Sequence, residues 1–200
     1  MAPYKPAPTD GVAAIPQPAT SQLLDVNGSD VMPRLAYRNF PRANPPHESL
    51  VAIHSVMAGT GSSSRTAFRW YELRNPGTAV TVYQQGTYSP DTSHRWMGSI
   101  AMDKMGDIAI GYSVSSASLS PGIRYTGRVP GDPLNALETE AAIYYGSGSQ
   151  SSGARWGDYT SMSLGPTDDC TLWYTGEYMA ASGTLDWATR LYSFKFSSCQ

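Results

Sequence analysis

The sequence is poor in charged side chains, and this scarcity excludes one large class of partner. Charged residues make up 15 % of the 200 residues, and the formal net charge is −2. Lysine, glutamate and leucine, the usual residues of exposed helices, are sparse. Lysine and arginine form no cluster that could serve as a basic face for duplex nucleic acid. We therefore expect no nucleic-acid partner.

Long apolar runs are also missing. None approaches the roughly 20 residues that a membrane-spanning helix needs, so we expect no membrane partner. The N-terminal stretch MAPYKPAPTDGVAAIPQPAT has no charged region followed by an apolar one, which indicates no signal peptide. Its proline and alanine content predicts that residues 1–20 are either extended along a surface or mobile.

Catalytic signatures and helical patterns are absent, whereas turn and strand residues abound. The sequence has no G-x-S-x-G, Walker, H-E-x-x-H or dinucleotide-binding motif. It has 19 glycines, 15 prolines and 13 tyrosines, and 40 % of its residues are hydrophobic. This composition is typical of short strands and tight turns around a substantial core.

A repeat of about 60 residues organises the chain. Three segments, RLAYRNF, RWMGSIAM and RWGDYTSM, begin at Arg34, Arg95 and Arg155, which are 61 and 60 residues apart. Each start is preceded by one apolar strand and followed by two more, the last of which carries an arginine (Arg69, Arg124 or Arg190). Four-stranded units in series predict an all-β fold, a β-propeller with three blades over residues 21–200. A β-sandwich of about twelve strands is the alternative, but it does not explain the recurrence.

Three blades are too few to close a ring, because propellers typically have 4–8. The chain begins with an outer strand, residues 21–26, that has no third strand to pair with. It ends with a third strand, residues 188–196, that has no outer strand after it. Exposed sheet edges favour pairing with another chain. We therefore predict a six-bladed homodimer in which residues 21–26 of each chain complete the last blade of the other.

Propellers bind ligands at one end of the central tunnel, where the inner strands start. The loops 57–66, 116–121 and 178–187 are expected at that end. The side chains predicted to face the ligand there are Arg34, Tyr37, His94, Arg95, Trp96, Arg155, Trp156, Asp158 and Tyr159. Converging guanidinium groups suit anionic ligands. The alternative is that the repeated arginines are structural and that the tryptophans pack between blades instead of stacking on a sugar.

Asp158 departs from the repeat, because its equivalents are Tyr37 and Gly98. Two copies of Asp158 facing each other across the tunnel could bind Ca²⁺ or act as acid and base. A salt bridge to Arg155 or Arg95 is the alternative. His94 is a candidate general base because histidine ordinarily titrates near neutral pH, although a histidine in a loop is often simply exposed.

Two stretches resemble a known family. ARWGDYTSMSLGPTDDCTLWYTGEY with TRLYSFKFSSC, and HRWMGSIAMDKMGDIAIGYSVSS, resemble the C-terminal blades of secreted bacterial sialidase-like propeller proteins of unassigned function. The resemblance implies six blades and a parent protein that is secreted or at the cell surface. The sialidase Asp-box, Ser-x-Asp-x-Gly-x-Thr-Trp, is not present.

A secreted parent implies a disulfide between Cys170 and Cys199, the two cysteines of the sequence. Cys170 opens a second strand and Cys199 follows the third, and those ends are neighbours in an antiparallel blade. Two buried free thiols are the alternative.

These observations predict a hydrolase of low specificity at the tunnel mouth. Its substrate would be an anionic or polarised ester, such as a phosphotriester or lactone, or a glycoside. Asp158, His94 or water bound to Ca²⁺ would supply the base or nucleophile. The alternatives are a non-catalytic carbohydrate-binding or adhesion module of a surface protein, and a purely structural repeat.

Overall fold

The computed structural model describes residues 2–9, 11–28, 30–32 and 34–200. Over these residues it contains sixteen strands and one short 3₁₀ helix, Gly61–Ser63. The strands are β1 (Lys5–Pro6), β2 (Ala13–Ile15), β3 (Leu24–Asp25), β4 (Ala36–Phe40), β5 (His47–Ala58), β6 (Arg65–Arg74), β7 (Thr81–Tyr88), β8 (His94–Met102), β9 (Ile108–Ser116), β10 (Leu119–Arg128), β11 (Ala141–Tyr144), β12 (Gln150–Ser152), β13 (Ser161–Leu164), β14 (Leu172–Met179), β15 (Gly183–Thr184) and β16 (Trp187–Phe194). The predicted all-β class is confirmed. In the described part of the chain, no helix is long and apolar enough to cross a membrane.

Three antiparallel sheets follow the sequence repeat. The first joins β4, β5, β6 and β7 in chain order and adds β1 beside the far end of β5. The second joins β8, β9, β10 and β11, and the third joins β13, β14 and β16. Two small pairs, β2 with β3 and β12 with β15, complete the pairing. Each main sheet thus starts with the inner strand of one repeat and takes the outer strand of the next as its fourth strand, where one is present.

The sheets stack in series, the second against the first and the third against the second. Strand β8 packs on β5 and β6, while β9 and β10 pack on β14. Trp70, Trp96 and Trp156 are fully buried in the largest apolar cluster, which spans the stack. Burying such large aromatic side chains supplies most of the hydrophobic stabilisation of a core of this kind. Three stacked sheets differ from the two of a sandwich, but the described residues do not form a closed ring.

Arg38 on β4 ties all three sheets together. Its guanidinium donates two hydrogen bonds of 2.7 Å to the carboxylate of Asp169, in the turn before β14. Its Nε also donates to the carbonyl oxygen of Met102, at the end of β8, at 3.3 Å. The guanidinium holds the pKa of Asp169 below its ordinary value. This bidentate geometry fixes the position of the first sheet relative to the third.

The N-terminal segment is packed against the sheets. The ring of Tyr4 stands edge-on to the ring of His54 at 4.8 Å, and Arg69 on β6 donates to the carbonyl oxygen of Ala2. Ile15 is fully buried. Residues 2–6 thus lie against the first sheet, whereas Ile15 enters the main core and Gln17 bonds to Gln150 beyond it.

The prediction that residues 21–26 form an exposed edge is wrong. Strand β3 pairs with β2 of the same chain, and the amide of Asp25 donates to the carbonyl oxygen of Ala154 at 2.7 Å. Leu24 and Val26 are fully buried in the main cluster. Within one chain these residues are therefore already buried, and the exchange of this strand between two chains stays a prediction. The other predicted edge is present, since β16 has no neighbour on its outer side among the described residues.

A buried ionic network crosses the second sheet. Arg95 on β8 is fully buried, and its guanidinium donates to both carboxylate oxygens of Asp91 and of Glu140 at 2.6–2.9 Å. Glu140 also accepts hydrogen bonds from Arg124 on β10 and the hydroxyl of Tyr112 on β9. Burial would raise the pKa of Glu140, but the hydrogen bonds from Arg95 and Tyr112, together with the positive charges of Arg95 and Arg124, outweigh it and the pKa is lowered. The network therefore stays ionised and links all four strands.

The disulfide is present. Cys170, just before β14, is bonded to Cys199, just after β16, with 5.5 Å between their Cα atoms. Both residues are fully buried. The alternative of two free thiols is therefore not what the structure contains.

Replacing Arg95 with methionine should cost about 3–5 kcal/mol of unfolding free energy, because Glu140 would be left buried with one cationic partner fewer. The matched control is Arg155→Met at the equivalent repeat position. The Arg155 side chain is 78 % exposed, so its ion pair with Asp158 should contribute less than about 1 kcal/mol. Urea denaturation followed by fluorescence measures both. Equal losses in the two variants would contradict the structural role of Arg95.

Asp103 should make stability depend on pH. Asp103 and Asp107 are fully buried in the turn between β8 and β9, and each has one carboxylate oxygen without a partner. Burial, with the neighbouring Asp107, raises the pKa of Asp103 to about 6. The folded state therefore holds a proton that the unfolded chain releases near pH 4. This stabilisation is complete below pH 4 and is lost as the pH rises through 6, a change on the order of 2 kcal/mol.

Asp103→Asn should remove that pH dependence and equal or exceed the wild type in stability at pH 7.5. The control is Asp168→Asn, since hydrogen bonds from Thr171 hold the pKa of Asp168 below its ordinary value. Its loss of stability should be constant between pH 5 and 7.5. Urea titrations across this range measure both profiles, and an unchanged pH profile in Asp103→Asn would refute the assignment.

Candidate ligand-binding cleft on the third sheet

The predicted residues of the third repeat line one open cleft of about 360 Å³. We call it the third-sheet cleft. Its lining consists of Arg155, Trp156, Gly157, Asp158, Tyr159, Glu177, Leu185 and Trp187. The volume falls within the range usual for sites of small ligands. The structure thus brings four of the nine predicted ligand-facing residues together.

A tight turn before β13 presents the polar side chains of this cleft. Gly157 has a φ of +65°, a backbone conformation that favours glycine, and its carbonyl oxygen accepts a hydrogen bond from the amide of Thr160. The amide of Gly157 donates to Glu177 Oε2 at 2.9 Å. Two consecutive residues between these anchors, Asp158 and Tyr159, extend towards the cleft. The turn and β14 are therefore locked together by Glu177.

Trp156 forms the floor of the cleft. It is 1 % exposed, its ring lies 6.3 Å from that of Trp96, and its Nε1 donates to Ser113 Oγ at 3.0 Å. The alternative of tryptophans packing between sheets is confirmed for Trp156 and for Trp96, which is fully buried. Neither indole is open for stacking on a ligand.

Two carboxylates and one guanidinium set the charge of the cleft. Arg155 Nε donates to Asp158 Oδ2 at 3.1 Å, so the expected salt bridge between these residues is formed. Glu177 is half-buried, and burial raises its pKa, with the negative charge of Asp158 adding to the effect. The cleft is therefore neutral when Glu177 is protonated and carries one negative charge when it is ionised. This balance does not suit an anionic ligand.

Two aromatic side chains flank these carboxylates at the surface. Tyr159 is 85 % exposed and Trp187, at the start of β16, is 45 % exposed. Exposed aromatic rings combine an apolar face with a polar edge. Leaving the apolar faces of both rings in water is unfavourable. They give the cleft two surfaces on which a flat or partly apolar ligand could stack.

The arginines predicted to converge do not form one site in this chain. Arg95 has no exposed surface and is saturated by Asp91 and Glu140, so it cannot contact a ligand, and Trp96 beside it is equally buried. Arg34 is exposed and does not line the third-sheet cleft. Each repeat therefore has an arginine at its start, but the surroundings of that arginine differ between the repeats.

Tyr37 and His94 also lie outside the third-sheet cleft. The Tyr37 hydroxyl donates to Glu48. His94 lines a separate shallow cleft formed by the predicted loops 57–66 and 116–121. Its Nδ1 accepts a hydrogen bond from the amide of Thr66, and burial, followed by the charge of Arg65, lowers its pKa. His94 and Asp158, the predicted catalytic pair, are therefore not brought together.

The described residues contain no preformed calcium site. Within the described ranges, no three side chains of His, Cys, Asp or Glu are grouped so that they could hold a metal ion. Asp158 contributes one carboxylate, already paired with Arg155. Calcium bound by two copies of Asp158 stays a prediction.

Four lining residues, Gly157, Glu177, Leu185 and Trp187, were not predicted from the sequence. Leu185 and Trp187 belong to the loop 178–187, which was expected at the ligand end, and Glu177 directly precedes it. The prediction that this loop lies at the ligand end was therefore the sequence signal that could have identified them. A carboxylate at the end of a second strand, next to a loop expected to bind ligand, could have been singled out as Asp158 was.

Comparison of this chain with protein-family models, with curated proteins and with solved structures gives no match. Functional reasoning therefore depends on the geometry of the cleft.

Proposed function

We propose that the chain binds carbohydrate at the third-sheet cleft. The observation that carries the proposal is the pairing of two exposed aromatic rings, Tyr159 and Trp187, with two carboxylates, Asp158 and Glu177, in one concave surface. Sugars present both apolar C–H faces and hydroxyl donors. Aromatic rings suit the former, and carboxylate oxygens accept hydrogen bonds from the latter. A neutral or amino-bearing sugar fits the charge balance better than an acidic one.

Glycoside hydrolysis at the same cleft is the second candidate. The specific observation in its favour is Glu177, whose pKa is raised by burial beside a second carboxylate. Paired carboxylates whose surroundings separate their pKa values are the usual acid and base of glycosidases. Glu177 would donate the proton to the leaving oxygen as the glycosidic bond breaks, and Asp158 would stabilise the developing positive charge. A water molecule would then bond to the anomeric carbon and return a proton to Glu177. The esters and phosphotriesters of the original prediction are less favoured, because no cluster of arginines faces this cleft.

Trp187→Ala and Tyr159→Ala should each weaken saccharide binding by about 2- to 10-fold, since each removes one stacking surface. A glycan array identifies the saccharide, and isothermal titration calorimetry measures the affinities. The matched control is Tyr145→Ala, because Tyr145 is 67 % exposed and does not line the cleft. Failure of every saccharide to bind, or equal weakening by Tyr145→Ala, would contradict the proposal.

Glu177→Gln separates the two candidates in an assay with chromogenic glycosides, esters and phosphotriesters, run with and without EDTA. Turnover by the wild type that is lost in Glu177→Gln while binding persists would select hydrolysis. Binding without turnover in either protein would select the non-catalytic function. His94→Ala serves as the control, since His94 lies in another cleft.

We further propose that the three sheets are consecutive blades of a propeller and that a second copy completes a six-bladed ring. The support is the 60-residue repeat, the serial stacking of sheets with five, four and three strands, and the outer face of the third sheet. That face carries Trp173 and Leu191, which are 40 % and 64 % exposed. The partner would cover this face and meet the N-terminal segment that lies on the first sheet. No strand exchange is needed.

Light scattering should then give twice the chain mass of 21.5 kDa. Leu191→Glu should produce the monomer, because it places a charge in the middle of the proposed contact. Val80→Glu is the control, since Val80 is 55 % exposed and lies in the loop just before β7, away from the third sheet. A wild type that stays monomeric at high micromolar concentration would overturn the assembly.

Location outside the cell is also part of the proposal. Its support is the disulfide between Cys170 and Cys199, since such bonds persist in oxidising compartments.

A further inference from the structure

A crevice between the first and second sheets forms a second concave site, of about 210 Å³. It is distinct from the third-sheet cleft, with which it shares no residue. Strands β6 and β7 form one wall, and the ends of β8 and β10 form the other. The deep part is polar and is lined by Glu72, Arg74, Gln84 and Arg128. We call it the Arg128 crevice.

Three of these four polar side chains satisfy one another. The carboxylate of Glu72 accepts hydrogen bonds from Ser49 Oγ at 2.7 Å, from Arg74 Nε at 3.0 Å and from Gln84 Nε2 at 2.6 Å. Glu72 and Gln84 are almost completely buried. The negative charge of Glu72 is therefore already balanced by Arg74 and is not available to a second cation.

Arg128 is the exception. It is 2 % exposed, its Nε has no hydrogen-bond partner, and its Nη2 donates to the carbonyl oxygen of Asp132. Among the described residues no carboxylate forms an ion pair with it. A buried guanidinium without an anionic partner is unfavourable, and its planar fork matches the two oxygens of a carboxylate.

The mouth of the crevice is apolar. Phe40 and Pro130 line it, with Met105 and Leu134, which are about half exposed, whereas Met102 lines the crevice from the buried core. Methionine adapts its shape to irregular ligands. A ligand that fills the crevice would therefore place an anionic group beside Arg128 and an apolar body between these side chains.

We propose that the Arg128 crevice binds a small organic acid with one carboxylate and an apolar body. The charges lining the crevice favour a monoanion, because Arg128 has no carboxylate partner among the described residues, whereas Arg74 is paired with Glu72. A dianionic phosphate would bring a second negative charge next to the buried carboxylate of Glu72.

Isothermal titration calorimetry with benzoate, benzamide and phenyl phosphate tests this proposal on the full chain. Benzoate should bind roughly tenfold or more tightly than benzamide, which has the same shape without the charge. Phenyl phosphate should bind more weakly than benzoate. Equal affinity for benzoate and benzamide overturns the site, and tighter binding of phenyl phosphate overturns the monoanion assignment.

Two variants assign the binding to this crevice. Arg128→Gln should abolish the preference for benzoate over benzamide. Met105→Glu should weaken benzoate binding by repulsion at the mouth, while the matched variant Met105→Gln should retain it. Met105 is 51 % exposed, so both of its variants are expected to fold and they decide the question if Arg128→Gln does not. Benzoate binding that survives in Met105→Glu unchanged overturns the proposal.

Discussion

A fully buried guanidinium is stabilised strongly when carboxylates accept its hydrogen bonds, and Arg95 gains this stabilisation from two carboxylates that join the whole second sheet. Its partners, Asp91 and Glu140, lie before β8 and before β11, and Glu140 in turn binds side chains from β9 and β10. The hydroxyl of Tyr88, at the end of β7, accepts a hydrogen bond from the amide of Glu140. The central sheet, against which the other two pack, is thereby fixed to the first.

The three repeats show how one scaffold position can acquire different roles. Arg95 is sealed inside the central sheet, whereas Arg155 lies at the surface beside Asp158. The difference follows from the neighbours: the central sheet is covered on both faces, but the third sheet is covered on one. A side chain at the end of the stack keeps access to solvent, and with it the freedom to contact a ligand. The cleft therefore occurs in the repeat that has the fewest neighbours.

Much of the fold was predictable from the sequence, because alternation and turn residues act locally. The two strands predicted after each repeat start are present as β5 and β6, β9 and β10, and β14 and β16, and the disulfide joins the predicted cysteines. The position of residues 13–26 was not predictable, since Ile15, Leu24 and Val26 are buried by contacts distant in the chain. The site was found in part: Asp158 stood out as a departure from the repeat, while Glu177 and Trp187 join it only through the pairing of β14 with β16.

The bond between Cys170 and Cys199 encloses β14, β15 and β16 in one covalent loop. That loop contains Glu177, Leu185 and Trp187, which form one side of the third-sheet cleft. Closing it restricts the unfolded chain and so favours the ordered sheet. Strand β16, whose outer edge is free, is thus held to β14 by the disulfide. The shape of the cleft is in this way tied to the oxidation state of its surroundings, whereas the Arg128 crevice, built from the first two sheets, is independent of it.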